Sequence, residues 1–222
     1  IAPQMAPIQF QFLEPAFTAS GYRVKMLEKV CPEDVEEGLK YVNNDACYPA
    51  IIVIGQMLRA LKSPDVDSHQ AALIITQTGG GCRASNYISF LRKALNDSGM
   101  GYVPVISLSA QGLENHPGVQ ITPELINRAV MALLYGDLLM RVLYRTRPYE
   151  KEPSSIEALY QKWCQIGKEN ILSGSRKDFK KNVMKLVHEF DTIPLNEVQK
   201  PKVGLVGEIL VKFHPYANNE VV

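Results

Sequence analysis

The chain has 222 residues, and its 24 Lys and Arg against 23 Asp and Glu leave a formal net charge of +1. This balance argues against a protein that binds nucleic acid through bulk positive charge, because such domains carry a clustered basic excess. Hydrophobic residues make up 46% and charged residues 21%, as in folded globular proteins. The sequence has no apolar run of the roughly 18 residues that a membrane span needs and no signal-peptide pattern, so we expect a cytoplasmic protein without a membrane partner.

The first 120 residues alternate predicted helices and predicted strands, judged from apolar periodicity, caps and breakers. In chain order they are a helix over 10–19, a strand over 21–28, a short helix over 32–37, a brief strand over 39–42, a helix over 50–61, a strand over 71–77, a helix over 86–98 and a strand over 103–108. The continuous apolar runs of the last two strands are typical of strands buried on both faces of a parallel sheet. The order predicts an α/β fold with a Rossmann-like, doubly wound, mainly parallel sheet.

The remainder of the chain is predicted to be mostly helical. In order, we predict helices over 122–144, 155–171 and 176–190 and a strand over 202–211. Thr122 and Pro123 form a good helix start, because Thr caps a helix and Pro suits its first turn. The predicted domains are an α/β domain carrying the cysteine loops over 1–120, an appended helical segment over 121–200, and a strand and turn over 201–222 that lead toward a further domain. Because the sequence opens on Ile1 rather than Met, we expect it to be a fragment of a longer protein.

The chain has four cysteines: Cys31, Cys47, Cys82 and Cys164. They are too few for a disulfide scaffold at this length, and without a secretory pattern we expect reduced thiols. Each thiol is then a small buried hydrophobe, a metal ligand or a nucleophile. The histidines do not show the spacing of a metal site.

Cys47 and Cys82 occupy equivalent places in the predicted fold. Each follows a predicted strand and opens a predicted helix, where unpaired N–H groups and the helix dipole favour a thiolate. Loops of this kind lie at the carboxyl edge of a doubly wound sheet, where ligands bind. The pattern therefore predicts that the two thiols share one site, although both could instead be packing residues.

The glycine loop before Cys82 allows a second interpretation. It lacks the Lys-Ser/Thr of a P-loop and the spacing of a dinucleotide fingerprint. Gly79, Gly80 and Gly81 nevertheless permit close backbone approach, and Arg83 adds a positive charge beside a predicted helix N-terminus. These four residues form a candidate cradle for a phosphate group or coenzyme A.

Four segments carry a resemblance to a known family. They are Asn43-Asn-Asp-Ala-Cys-Tyr-Pro-Ala50, Thr76-Gln-Thr-Gly-Gly-Gly-Cys-Arg-Ala-Ser-Asn-Tyr87, Tyr135-Gly-Asp-Leu-Leu139, and Gly207-Glu-Ile209 with Asn218-Asn219. Together they resemble the acyl-CoA dehydratase activase-related proteins, also described as CoA-substrate-specific enzyme activases. That region is similar in turn to the iron–sulfur subunits of 2-hydroxyacyl-CoA dehydratases and benzoyl-CoA reductases. The resemblance covers nearly the whole chain.

The resemblance implies an iron–sulfur cluster, with Cys47 and Cys82 as ligands because they match the motif cysteines. The relatives use a third cysteine, and neither Cys31 nor Cys164 lies in a loop that matches the family. The implied partners are ATPase (activase) domains, in the same or another chain, and an acyl-CoA dehydratase; a homodimer stays open. The kinase motifs of the ATPase domains are absent, so hydrolysis of ATP is not expected from this part.

The leading functional hypothesis is an iron–sulfur module of a low-potential, ATP-coupled electron-transfer system related to 2-hydroxyacyl-CoA dehydration. If the chain is catalytic itself, the resemblance implies part of a dehydratase-like or activase-related redox enzyme. One alternative is a metal-free module that binds coenzyme A or a nucleotide phosphate at the glycine loop. Another is a structural domain that assembles a larger activase. The cluster is of a kind that air can destroy, so it is expected to be lost in an aerobic preparation.

Overall fold

The structure is a computed structural model that describes residues 1–3, 5–43, 45–77, 86–109 and 120–221. Within these residues the α-helices are α1 (Pro7–Phe10), α2 (Leu13–Thr18), α3 (Pro32–Tyr41), α4 (Tyr48–Leu61), α5 (Tyr87–Asp97), α6 (Pro123–Thr146), α7 (Ser155–Ser173), α8 (Arg176–Thr192) and α9 (Ile209–Phe213). The strands are β1 (Leu73–Gln77) and β2 (Val105–Ser109), which pair in parallel with Leu73 opposite Val105.

The predicted Rossmann-like, doubly wound sheet is wrong. Of the described residues 60% are helical, and they contain a parallel sheet of two strands. The predicted strands over 71–77 and 103–108 are confirmed as β1 and β2. The alternating segment 21–28 contributes an isolated bridge between Ala2 and Met26, and 39–42 falls largely in the last turn of α3.

The predicted strand over 202–211 is also not formed. Residues 202–208 are irregular and exposed, and α9 begins at Ile209. Val203 and Val206 are 90% and 87% exposed. Gly204 and Gly207 interrupt the apolar run, and Gly207 has φ +138°, outside the range of a regular strand. An apolar run predicts that a strand is possible, but the strand forms only where a neighbour pairs with it.

The chain divides into two compact units, residues 1–6, 25–120 and 207–222 (unit 1) and residues 7–24 and 121–206 (unit 2). The core of unit 1 is built on α4, whose apolar residues are almost all buried, and on β1 and α5. In α5 the buried Ile88, Leu91 and Leu95 form the stripe that the sequence predicts.

The helices α3 and α4 pack backbone to backbone in unit 1. A β carbon at Gly38 would overlap the carbonyl oxygen of Ile51, and one at Gly55 would overlap the carbonyl oxygen of Asp34. Glycine is therefore required at both positions, because a side chain there would force the helices apart.

Two ion-pair groups fix the same helix pair. The Asp34 side chain is 1% exposed and accepts from the Arg59 Nε at 2.5 Å. Glu37 accepts from the Lys40 Nζ at 2.8 Å and also from Lys62. Burial raises the pKa of Glu37, but the hydrogen bonds and charges of the two lysines outweigh it, and the net shift is downward.

Unit 2 is helical, with its core between α1 and α2 on one side and α6, α7 and α8 on the other. The largest buried side chains of this core are Phe12, Tyr135, Trp163 and Phe190. The Tyr135 hydroxyl donates to Asn170 at 2.8 Å, so the one polar atom of that ring is satisfied inside the core. The predicted cap is confirmed, since Thr122 Oγ1 accepts from the Leu125 N–H at 3.2 Å.

None of the helices within the described ranges is both long enough and apolar enough to cross a membrane.

Candidate functional site

Cys47 opens α4, as the sequence predicts. It is the N-cap residue, with extended backbone angles of φ −64° and ψ 143°, and Pro49 lies in the first turn. The helix begins here because Pro49 fits a first turn and the apolar run that follows is buried in the core of unit 1. The thiol is half-buried at a helix N-terminus, a place that suits a thiolate ligand.

The Cys47 sulfur contacts a side chain from a distant part of the sequence. Its Sγ lies 3.9 Å from the hydroxyl oxygen of Tyr87, which is the first residue of α5 and is 4% exposed. At this separation a sulfur–hydroxyl hydrogen bond can form. The contact places the first residue of α5 beside the first turn of α4.

The other residues of the predicted site lie outside the described residues. These are Gly79, Gly80, Gly81, Cys82 and Arg83. Their predicted roles, as cluster ligand for Cys82 and as anion cradle for the others, stay predictions. The described chain ends at Gln77 before this segment, where β1 ends, and resumes at Asn86, one residue before α5.

Cys31 has a capping role in the structure. Its backbone N–H donates to Asp34 Oδ2 at 2.9 Å, and its thiol lies 3.4 Å from the same oxygen. Burial raises the pKa of the Cys31 thiol, with a hydrogen bond to Glu33 and the charge of Asp34 acting in the same direction. A thiol held protonated beside carboxylates is a poor metal ligand.

Cys31 and Cys47 lie toward opposite ends of the α3–α4 helix pair. Asp34, in the first turn of α3, pairs with Arg59 in the last turn of α4. Cys47 lies at the start of α4. Cys47 and Arg59 are twelve positions apart, which is about 18 Å along the helix axis.

Cys164 is a packing residue. It is buried on α7 in the core of unit 2 beside Trp163. Burial raises its pKa and keeps the thiol neutral.

The described residues do not form a complete metal site. Within them there is no group of three or more His, Cys, Asp or Glu side chains placed to hold a metal ion. An iron–sulfur cluster needs several thiolates. Cys47 is suited to be one of these ligands by its exposure and its position at a helix N-terminus. Cys82 is the candidate that the sequence offers for a second ligand.

Two residues of interest were missed by sequence reasoning. Tyr87 is the last residue of the glycine-loop motif, and its contact with Cys47 joins positions 40 residues apart. His214 follows α9 and is fully buried, although it lies in the stretch 201–222 that is predicted to be only a strand and a turn. For Tyr87, an aromatic residue at the start of an amphipathic helix is the signal that could have found it.

No protein-family model matches the chain, and neither the curated proteins nor the solved structures contain a match.

Proposed function

We propose that this chain is an iron–sulfur cluster-binding module of a low-potential, ATP-coupled electron-transfer system related to the activation of 2-hydroxyacyl-CoA dehydratases. The observation that carries the proposal is the contact between the Cys47 sulfur and the Tyr87 hydroxyl. It supports a common site for Cys47 and Cys82, because Cys82 precedes Tyr87 by only five residues. Five extended residues reach at most about 18 Å, which sets an upper limit on the distance between Cys82 and Tyr87.

The local chemistry at Cys47 suits this role. Its thiol is half-buried at the start of α4, where the first peptide N–H groups of the helix have no intrahelical acceptor. These groups and the helix dipole attract negative charge, such as that of a bound cluster. The Tyr87 hydroxyl is in position to donate to the same sulfur, and hydrogen bonds of this kind tune cluster potentials.

The residues that would hold the group are Cys47 and Cys82, with further ligands supplied from outside the described residues. When bound, such a cluster accepts and passes on single electrons. In the proposal the glycines at 79–81 let the backbone approach the group without steric conflict, and Arg83 offsets negative charge. ATPase (activase) domains and an acyl-CoA dehydratase are the proposed partners.

Iron and acid-labile sulfide analysis of anaerobically purified protein tests the proposal. We expect iron and sulfide in comparable amounts, with a broad visible absorbance that air bleaches. If anaerobic purification and reconstitution leave the protein free of iron, the proposal fails. Tight binding of coenzyme A or ATP by such iron-free protein would favour the alternative, a phosphate-binding module at Gly79–Gly81 and Arg83.

A further inference from the structure

The histidine that follows α9 is buried without a complete set of hydrogen bonds. His214 is 1% exposed, and its Nδ1 accepts from the Ala217 N–H at 3.3 Å. Its Nε2 is buried and has no partner within the described part of the chain. Because Nδ1 is an acceptor, the ring is neutral and carries its proton on Nε2.

The segment around this ring is organised by His214. Its backbone N–H donates to the Leu210 carbonyl at 2.8 Å, and its own carbonyl accepts from the Asn218 N–H at 3.2 Å. Leu210 is buried in the core of unit 1. Residues 209–221, called the C-terminal segment below, belong to unit 1 and are held to its core by Leu210, and His214 is buried within the segment.

Protonation of His214 is incompatible with these contacts. A proton on Nδ1 would turn the acceptor into a donor that faces the Ala217 N–H, and it would place a positive charge in a buried site. Burial accordingly lowers the pKa of His214. The docked segment thus binds fewer protons than the released one, so docking weakens as the pH falls below the ordinary histidine value of about 6.5.

The charged side chains described near His214 do not offset the cost of protonating it in a buried site. On the segment and just before it, the charged side chains are Glu208, Lys212 and Glu220, all exposed or partly exposed. At the starts of α3 and α4, Cys31, Glu33, Asp34 and Tyr48 act electrostatically on Tyr216. The lowered pKa of His214 has burial as its leading cause, and no side-chain charge contributes to it among the described residues.

We propose that the C-terminal segment is an acid-sensitive latch, docked on unit 1 while His214 is neutral and released when the imidazole takes up a proton. The proposal is independent of the cluster, because it concerns only the chain's own hydrogen bonds.

Hydrogen–deuterium exchange of the whole chain at pH 7.5 and pH 5.5, corrected for the intrinsic pH dependence of exchange, tests the latch. We expect peptides from 209–221 to exchange about tenfold faster at the lower pH, since one buried histidine can weaken docking by that order. Peptides from α7 in unit 2 should not change. His214→Gln should abolish the pH response, whereas His188→Gln, at an exposed histidine of α8, should retain it.

Equal protection of the segment at both pH values would overturn the proposal, as would an unchanged pH response in His214→Gln. If His214→Gln leaves the segment undocked at both pH values, an NMR titration of the wild-type imidazole decides. Titration of His214 in step with loss of the segment's protection supports the latch, and titration in a different pH range contradicts it.

Discussion

Substituting Gly55 by Ala is expected to lower the free energy of unfolding of unit 1 by about 2 kcal/mol or more, as overpacked sites do. The new β carbon would overlap the backbone of Asp34 and of Gly38, so α3 and α4 would have to separate. Separation would also strain the ion pair between Asp34 and Arg59. Native-state amide exchange of α4 measures this loss directly.

The sign of this effect is diagnostic, because helix propensity alone predicts the opposite. Alanine is favoured over glycine inside a helix by about 1 kcal/mol. Gly204→Ala is the control for a glycine with room for a methyl group, since no atom lies within 4 Å of its β-carbon position, and it should change the stability of unit 2, where it lies, by less than about 0.5 kcal/mol. Equal stability of Gly55→Ala and Gly204→Ala would show that the two helices do not approach as closely as described.

Replacing Cys47 by Ala is expected to remove nearly all of the iron from anaerobically prepared protein. The variant deletes a ligand, and the half-buried start of α4 has no other described thiol that could take its place. The substitution should leave the fold intact, because the Cys47 side chain does not cap α4. Iron and sulfide analysis, with far-UV circular dichroism to verify the helix content, measures the result.

Cys31→Ala is the matched control for this experiment. Like Cys47, Cys31 precedes a helix with Pro in its first turn. The Cys31 thiol, however, interacts with Asp34, and this contact indicates a capping role rather than a ligand role. It should retain the iron content of the wild type. The ligand assignment is wrong if Cys47→Ala binds as much iron as Cys31→Ala.

The helices could be predicted from the sequence because local signals determine them. Pro49 and Thr122 mark the starts of α4 and α6, and Gly174, with φ +68°, ends α7 in the left-handed conformation that glycine adopts readily. The apolar stripe of α5 was sufficient to place that helix to within one residue at each end.

The sheet was overpredicted because strand formation depends on partners that lie far away in the sequence. The apolar runs at 71–77 and 103–108 find each other and pair. The comparable run at 202–211 has no described strand beside it, and it divides into an exposed stretch and the short helix α9. The apolar pattern of a segment indicates which of its residues could be buried, but it does not indicate whether another strand lies beside it.

The candidate site could be predicted only where local sequence features determine it. The position of Cys47 at a helix start follows from Pro49 and the buried run after it, which are local features. Its contact with Tyr87 depends on how α4 and α5 pack, and no local pattern encodes it. The burial of His214 is likewise a tertiary feature, fixed by the packing of Leu210 into unit 1.

The central claim is that Cys47 and Cys82 lie side by side in one site. Treatment of anaerobic, metal-free protein with dibromobimane, which joins two thiols only when they are a few ångströms apart, tests it most directly. We predict that peptide mass spectrometry will find Cys47 linked to Cys82, with Cys31 left outside the link. Single adducts on Cys47 and Cys82, with no bridge between them, would contradict the shared site.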